Sequence, residues 1–160
     1  MKSIWKTTCI AIYLAGASAG GLAQDVTYRK DIKPIFDQKC VACHGTASPN
    51  LQEFLENQKK FEAAMKGPRM DTYADLVSLI GWPDTGAIQR RLDDGKSAGA
   101  GGKPGNMYQF LGSSDEERQK NLQLFKAWVG REAWVLNRFK ARGDVPGISK
   151  EQLEKIQVKY

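Results

Sequence analysis

The sequence predicts an all-α fold, and three observations lead to that prediction. No stretch of the chain alternates polar and apolar residues, which is the pattern of a half-buried β-strand. Residues 114–129 begin with the capping-box signal Ser-Asp-Glu-Glu and continue with an apolar stripe at helical spacing. The length of 160 residues and the hydrophobic content of 41% are sufficient for one domain with tails.

The first predicted helix, residues 31–41, contains Pro34 close to its start. Proline is tolerated in the first helical turn, because the N–H that it lacks has no partner there. Ile32, Ile35 and Phe36 give this helix one apolar side. We therefore expect that side to pack against the core.

Six further segments complete the prediction around the long helix. Before the long helix we expect a polar helix at residues 51–65, a capped amphipathic helix at 71–80, a short helix at 85–92 and a glycine-rich loop at 93–108. After it we expect a continuation of the long helix beyond Gly130, at residues 133–142, and a last amphipathic segment at 149–158. Gly67 and Pro68 end the polar helix, and Asp71 or Thr72 caps the next one. Because the glycine-rich loop leads directly into the long helix, we expect it to wrap around a bound group.

The N-terminal segment has the pattern of a secretory signal peptide. Lys2 and Lys6 precede an uncharged stretch, residues 7–24, in which an apolar segment is followed by small residues, with cleavage predicted after Ala23. The cleaved chain has 160 − 23 = 137 residues and a charge of 22 − 18 = +4. An uncleaved membrane anchor is the alternative, but the apolar part is shorter than the ~20 residues that a span needs. We expect a periplasmic protein without a stable membrane span after cleavage.

Cys40, Cys43 and His44 form the motif Cys-x-x-Cys-His, which is the attachment motif of c-type haem. Two cysteines three residues apart at a helix end can each form a thioether with a haem vinyl group. The adjacent histidine then lies under the iron as its proximal ligand. The predicted export agrees with this interpretation, because haem is attached covalently outside the cytoplasm.

Three other uses of the motif fit less well. A structural zinc site needs four ligands, and the chain has no second group of cysteine and histidine. A thioredoxin-like redox pair belongs to an alternating strand–helix pattern, which is missing here. A disulfide between residues three apart closes a very small loop and stabilises little. The single histidine, His44, also excludes bis-histidine ligation and a second haem of this type.

The chain resembles the class I c-type cytochromes, in particular the bacterial periplasmic monohaem family. Three pieces carry the resemblance: residues 33–45 with the haem motif, the turn at residues 48–51 and the long helix at residues 114–129. The resemblance implies one covalently attached haem c in a domain at residues 24–142. A C-terminal helical extension, residues 143–160, then serves a partner or covers the core. The N-terminal and long helices are expected to cross, with Phe36 packing against Phe125 and Trp128.

The resemblance also implies roles for residues around the haem. In this family a proline carbonyl accepts the N–H of the proximal histidine, and a leucine packs on the haem; Pro49 and Leu51 match these positions. Side-chain donor chemistry adds Trp82, together with Arg90 or Arg91, as a candidate donor to the haem propionates.

The distal iron ligand is expected to be a methionine on the loop before the long helix, as in the family. Met107 is in that position, 107 − 44 = 63 residues after His44, and Gly105 nearby lets the backbone approach the porphyrin. Met70 is the alternative, whereas Met65 is expected on a helix face. A lysine ligand and an open sixth position also stay open at this point.

These expectations lead to a single-electron carrier, and not an enzyme, as the predicted function. Its partners are expected to be other redox proteins. An acidic face of such a partner would dock against lysines of this protein, such as Lys39. A nucleic-acid partner is excluded, because the mature charge is small and the protein is exported. The alternatives are an open-site haem enzyme or a gas or peroxide sensor, and a haem subunit of a larger dehydrogenase complex that docks through the tail after Gly130.

Overall fold

The computed structural model describes residues 25–81, 86–136 and 148–160. Within these ranges every regular element is helical, so the all-α prediction is confirmed. None of the helices in these three ranges is long and apolar enough to cross a membrane. The predicted signal peptide, Trp82 and most of the predicted helix at residues 133–142 lie outside the described residues.

The described ranges contain short helices around one long helix. The α-helices are α1 (Lys33–Lys39), α2 (Val41–His44), α3 (Leu51–Glu56), α4 (Gln58–Ala63), α5 (Tyr73–Ser78), α6 (Ala87–Leu92), α7 (Asp115–Val129) and α8 (Lys150–Glu154). A π-helical turn (Tyr28–Ile32) precedes α1, and 3₁₀ turns (Tyr108–Leu111 and Arg131–Ala133) flank α7.

The first predicted helix is divided between the π-helical turn, α1 and the haem motif. The side chain of Thr27 caps the π-helical turn by accepting the N–H of Lys30, and the turn runs directly into α1. Pro34 lies at the start of α1, as predicted. α1 ends at Lys39, where Cys40 adopts a φ of −119° before the chain enters α2.

The predicted helix at residues 51–65 is two helices, so the prediction of one continuous helix is wrong. Asn50 and Glu53 form a capping box at the start of α3. Asn57 then leaves the helical region (φ −131°, ψ 39°), and α4 begins at the next residue. The short polar side chain of asparagine bonds readily to nearby backbone, so this residue type favours such breaks.

The long helix α7 forms the centre of the core, and its apolar stripe is buried as predicted. The ring centroid of Trp128 lies 6.1 Å from that of Tyr28 and 6.4 Å from that of Phe125. Phe36 is buried in the same cluster, but the ring that the N-terminal segment places against Trp128 is Tyr28. Tyr28 is therefore a contact of Trp128 that the sequence did not predict, and direct packing of Phe36 on Phe125 and Trp128 stays a prediction.

The start of α7 is capped by a serine and tied to α1. Ser114 accepts the N–H of Glu117, as predicted. The Glu117 carboxylate, however, accepts the N–H of Ser113 and pairs with Lys39 at 2.6 Å, so the reciprocal half of the capping box is missing. This ion pair joins the end of α1, next to the haem motif, to the start of α7.

The C-terminal tail packs against the core beside α7. Two backbone N–H groups of the tail donate to carbonyls at the end of α7, at 3.0 and 2.9 Å. The ring of Tyr160 stacks on that of Tyr28, with centroids 5.8 Å apart. Gly130 ends α7 at a φ of 104°, and a Cβ there would lie 2.3 Å from the carbonyl oxygen of Lys155. The end of the extension therefore covers the core of its own chain.

Candidate haem site

The two motif cysteines lie on one short turn at the start of α2. The N–H groups of Cys43 and His44 both donate to the carbonyl oxygen of Cys40, at 3.2 and 3.0 Å. Both thiols are free; Cys40 is half-buried and Cys43 is exposed. Burial, with a smaller effect of Cys43, raises the pKa of the Cys40 thiol from 9.0 to about 12. The motif therefore presents two reduced thiols and a histidine together.

The His44 imidazole is oriented by one hydrogen bond. Its Nδ1 lies 2.8 Å from the carbonyl oxygen of Pro68. Because a carbonyl oxygen can only accept, the ring proton is on Nδ1, and Nε2 keeps the lone pair that binds a metal. Burial lowers the pKa of His44 and the charge of Arg91 adds to this, although the hydrogen bond to Pro68 opposes both. The ring is therefore neutral at neutral pH, as a ligating imidazole must be.

The assignment of the histidine-orienting carbonyl to Pro49 is wrong. The Pro49 carbonyl accepts the backbone N–H of Arg69 at 2.7 Å and so holds the segment that contains Pro68. The sequence contained a signal for this segment in Gly67-Pro68, which we interpreted only as a helix end. Pro49 is buried and Leu51 packs half-buried against the core, and their contacts with haem stay predictions.

The segment 66–70 is fastened to the haem motif by three further hydrogen bonds. Its donors are Lys66 Nζ and the backbone N–H groups of Gly67 and Met70, and the acceptors are the carbonyls of Ala42, Cys43 and His44, each at 2.9 Å. A Cβ at Gly67 would lie 2.1 Å from Cε1 and 2.6 Å from Nδ1 of His44. Only glycine therefore allows the segment to pass against the imidazole, and sequence reasoning missed this role.

Met107 lies on the loop that precedes α7, as predicted, and it is half-buried against the core. Its backbone N–H donates to the carbonyl of Arg91 at 3.0 Å, and the guanidinium of Arg91 donates to Asn106 at 3.0 Å. A Cβ at Gly105 would lie 2.3 Å from the Arg91 carbonyl oxygen, so the loop lies directly on the end of α6.

The other two methionines are less suitable as distal ligands. Met70 is 9% exposed in the core, and its backbone is bonded to the carbonyl of His44, on the side of the proximal segment. Met65 is 77% exposed and has a φ of 54° just beyond α4, not on a helix face as expected. Met107 lies on a different segment, the loop whose backbone is bonded to the end of α6.

The residues present fit a covalently attached haem. Two free thiols are one helical turn apart, and the adjacent imidazole is neutral, with its Nδ1 proton engaged and Nε2 available. Val41 within the motif is 43% exposed and Phe110 near Met107 is 56% exposed, which leaves apolar surface on both segments. This donor set, two thiols and one nitrogen, is that of haem c.

Comparison with known proteins agrees with this chemistry. The family model described as PccH cytochrome c matches residues 27–160. The solved structure of the monoheme cytochrome PccH from Geobacter sulfurreducens is 52% identical, covers 85% of this chain and 99% of its own, and superposes with a TM-score of 0.72. No curated protein sequence matches the chain. Since the match spans the haem motif and the whole helical core, the chain belongs to the PccH cytochrome c family and carries electrons by means of one covalently bound haem c.

Proposed function

We propose that the protein is a periplasmic carrier of single electrons whose haem iron is bound by His44 and Met107. The observation that carries this proposal is the 2.8 Å contact between His44 Nδ1 and the Pro68 carbonyl, which leaves Nε2 as the ligating atom. The haem supplies the Fe(II)/Fe(III) couple, and the chain supplies the ligands and their surroundings. With His44 and Met107 both held by the chain as its ligands, a bound haem iron would offer no site for a substrate.

The proximal side of the site holds the imidazole in one orientation. Pro68 receives the Nδ1 proton, and the absence of a side chain at Gly67 lets the backbone pass against the ring. A hydrogen bond to the far nitrogen makes an imidazole a more basic ligand and restricts its rotation. Small motion of the ligand keeps the geometry similar in both oxidation states, which favours fast electron transfer.

The distal side is formed by the loop that carries Met107. The loop is bonded to the end of α6 through the N–H groups of Gly105 and Met107, at 2.8 and 3.0 Å. A neutral thioether favours Fe(II) over Fe(III) relative to harder ligands, and so raises the reduction potential. Arg91, whose charge acts on His44, also favours the reduced iron and is a donor for a haem propionate.

The partner in this proposal is a redox protein with an acidic docking face. Lys66 donates to the carbonyl of Ala42 within the haem motif, and Lys103 is exposed on the loop before Met107. Lys39, our expected example, is a weaker candidate, because it is 21% exposed and paired with Glu117. Electron exchange with an acidic partner should slow with added salt. Lys66→Gln should slow it more than the control Lys150→Gln, which changes a lysine of α8, far along the chain from the haem motif.

Export to the periplasm is proposed from the first 23 residues, with cleavage after Ala23. Mass spectrometry of the mature protein from a host competent for cytochrome maturation tests this directly. The expected N-terminus is Gln24, with the mass of one haem added. A retained leader in the membrane fraction would instead support the anchor.

The experiment that tests the ligation is a redox-titrated absorption spectrum of the holoprotein. A methionine bound to Fe(III) gives a weak far-red charge-transfer band, which we expect in the wild type and expect to lose in Met107→Ala. Met65→Ala is the matched control, because that side chain is 77% exposed. Loss of the band only in Met70→Ala would assign the ligand to Met70. A high-spin wild type that binds cyanide or CO directly would support the open-site alternative.

A further inference from the structure

The glycine-rich loop before Met107 begins on a buried carboxylate. Asp93, directly after α6, is 1% exposed. Its Oδ2 accepts the N–H of Gly95 at 2.8 Å, and its Oδ1 accepts the indole N–H of Trp134 at 2.8 Å and the hydroxyl of Ser97. A carboxylate this deeply buried is stable as an anion only when donors and a positive charge compensate it.

Lys126 of α7 supplies that positive charge. Its Nζ lies 3.5 Å from Asp93 Oδ1, and its side chain is 14% exposed. The same ammonium donates to the Ser97 hydroxyl at 2.9 Å and lies 5.6 Å from the centroid of the Trp134 ring. Burial by itself raises the pKa of Asp93, but the hydrogen bonds and Lys126 outweigh it, and the pKa lies below its ordinary value. Asp93 and Lys126 are therefore a compensated pair of buried charges.

Asp93 also holds the far end of the loop. Its backbone carbonyl accepts the N–H of Gly105 at 2.8 Å, two residues before Met107. On the other side of Met107, the hydroxyl of Tyr108 accepts a hydrogen bond at 2.8 Å from Gln119 of α7. The segment that carries the methionine is thus fastened on both sides to α6 and α7.

We propose that Asp93 is a positioning residue for the distal ligand: together with Lys126 it fixes the loop so that Met107 stays bound to the oxidised iron. The inference rests on the proposed ligation by Met107. Fe(III) has a weaker preference for a neutral thioether than Fe(II) has. The bond to the oxidised iron therefore depends on a loop that already holds the methionine sulfur in place before it binds. An external ligand can replace the methionine only when the loop moves away, and the buried pair opposes that movement.

The test is a titration of the ferric holoprotein with imidazole at neutral pH, in the wild type, Asp93→Asn and Asp37→Asn. The substitution removes the negative charge and turns an NH₂ group toward one of the groups that donate a hydrogen bond to Asp93. Lys126 then keeps only the more distant carboxylate of Asp94, at 4.0 Å. We expect imidazole to bind about tenfold more tightly to Asp93→Asn, because hydrogen bonds to a buried charge are among the strongest in proteins. Asp37→Asn is the control and should match the wild type, since Asp37 pairs with Lys33 on the surface, where their side chains are 46% and 39% exposed.

A merely structural role for Asp93 predicts a different result. In that case Asp93→Asn lowers the melting temperature of the holoprotein but leaves its affinity for imidazole unchanged, and this outcome overturns the proposal. If Asp93→Asn does not mature, Lys126→Met and Ser97→Ala disturb the same pair, and both should also bind imidazole more tightly.

The spectra separate this inference from the proposal on which it rests. A wild-type far-red band that survives in Met107→Ala shows that the ligand is not Met107, and both proposals then fail. A band that is lost in Met107→Ala, with unchanged imidazole affinity in the Asp93 and Lys126 variants, overturns only the positioning role.

Discussion

The substitution Gly67→Ala tests how the proximal histidine is held. The added Cβ would lie 2.1 Å from Cε1 and 2.6 Å from Nδ1 of the His44 ring. These distances are far inside van der Waals contact, and the ring is attached to a short helix that is itself tied to residues 66–70. The ring must therefore rotate away from the Pro68 carbonyl, or the segment must move off the motif.

The expected cost follows from these two effects. Inserting a methyl group into a well-packed site costs about 1–3 kcal/mol. Loss of the hydrogen bond between His44 and Pro68 adds about 1 kcal/mol. The free energy of unfolding should therefore fall by about 2–4 kcal/mol, which for a domain of this size lowers the Tm by about 4–16 °C. Because the ligand orientation changes as well, the reduction potential should shift.

Thermal unfolding and redox titration of the holoprotein measure both effects. Gly81→Ala is the matched control, because its Cβ would lie 4.0 Å from the nearest atom, Cδ1 of Ile156. We expect the control to keep the wild-type Tm and potential. If Gly67→Ala and Gly81→Ala behave alike in both measurements, the close packing of the segment on His44 does not exist in solution.

Three further predictions concern the distal loop, the buried carboxylate and the tail. Gly105→Ala should weaken the far-red band of the ferric protein without reducing its haem content, because the Cβ would lie 2.3 Å from the carbonyl oxygens of Arg90 and Arg91; an unchanged band contradicts this. Since the pKa of Asp93 is lowered in the folded state, its contribution to stability is complete above its ordinary value of 3.8 and is lost as the pH falls through the lowered value. Denaturant unfolding at about pH 5 and about pH 3 should show this loss, and Asp93→Asn should show less of it. Deletion of residues 157–160 should lower the free energy of unfolding by at least about 2 kcal/mol, from two lost backbone hydrogen bonds to α7, and an equal midpoint in urea would refute the packing of the tail.

The helices that the sequence predicted best are those with local signals. Ser114 and Thr72 cap their helices because their hydroxyls accept the N–H group three residues later, and such contacts need no other part of the chain. The break at Asn57 was missed, because the residues on both sides of it are ordinary helix formers. The contact between Tyr28 and Trp128 was also missed, since the pattern in the first helix does not show which aromatic residue meets a helix ninety residues later.

The haem motif could also be recognised from neighbouring residues alone, whereas the residues that surround it are brought there by contacts between distant parts of the chain. The two thiols and the imidazole lie within five residues, so their spacing alone indicates the cofactor. Asp93 had no such signal: as a residue next to a glycine-rich loop it looks like an ordinary turn aspartate. Only the approach of Lys126 and Trp134 from later in the chain makes it a compensated buried charge.

By itself, the amino-acid sequence determined the helical class, the covalent attachment chemistry and the single histidine available to the iron, because these depend on residue type and short spacing. The tertiary structure alone decided that Pro68, 24 residues after His44, receives the imidazole proton, and that Gly67 makes room for the ring. It also decided that the loop of Met107 is fastened to α6 and α7. The physical reason is that hydrogen bonds and close packing act over a few ångströms of space, and a sequence does not state which of its distant residues come within that range.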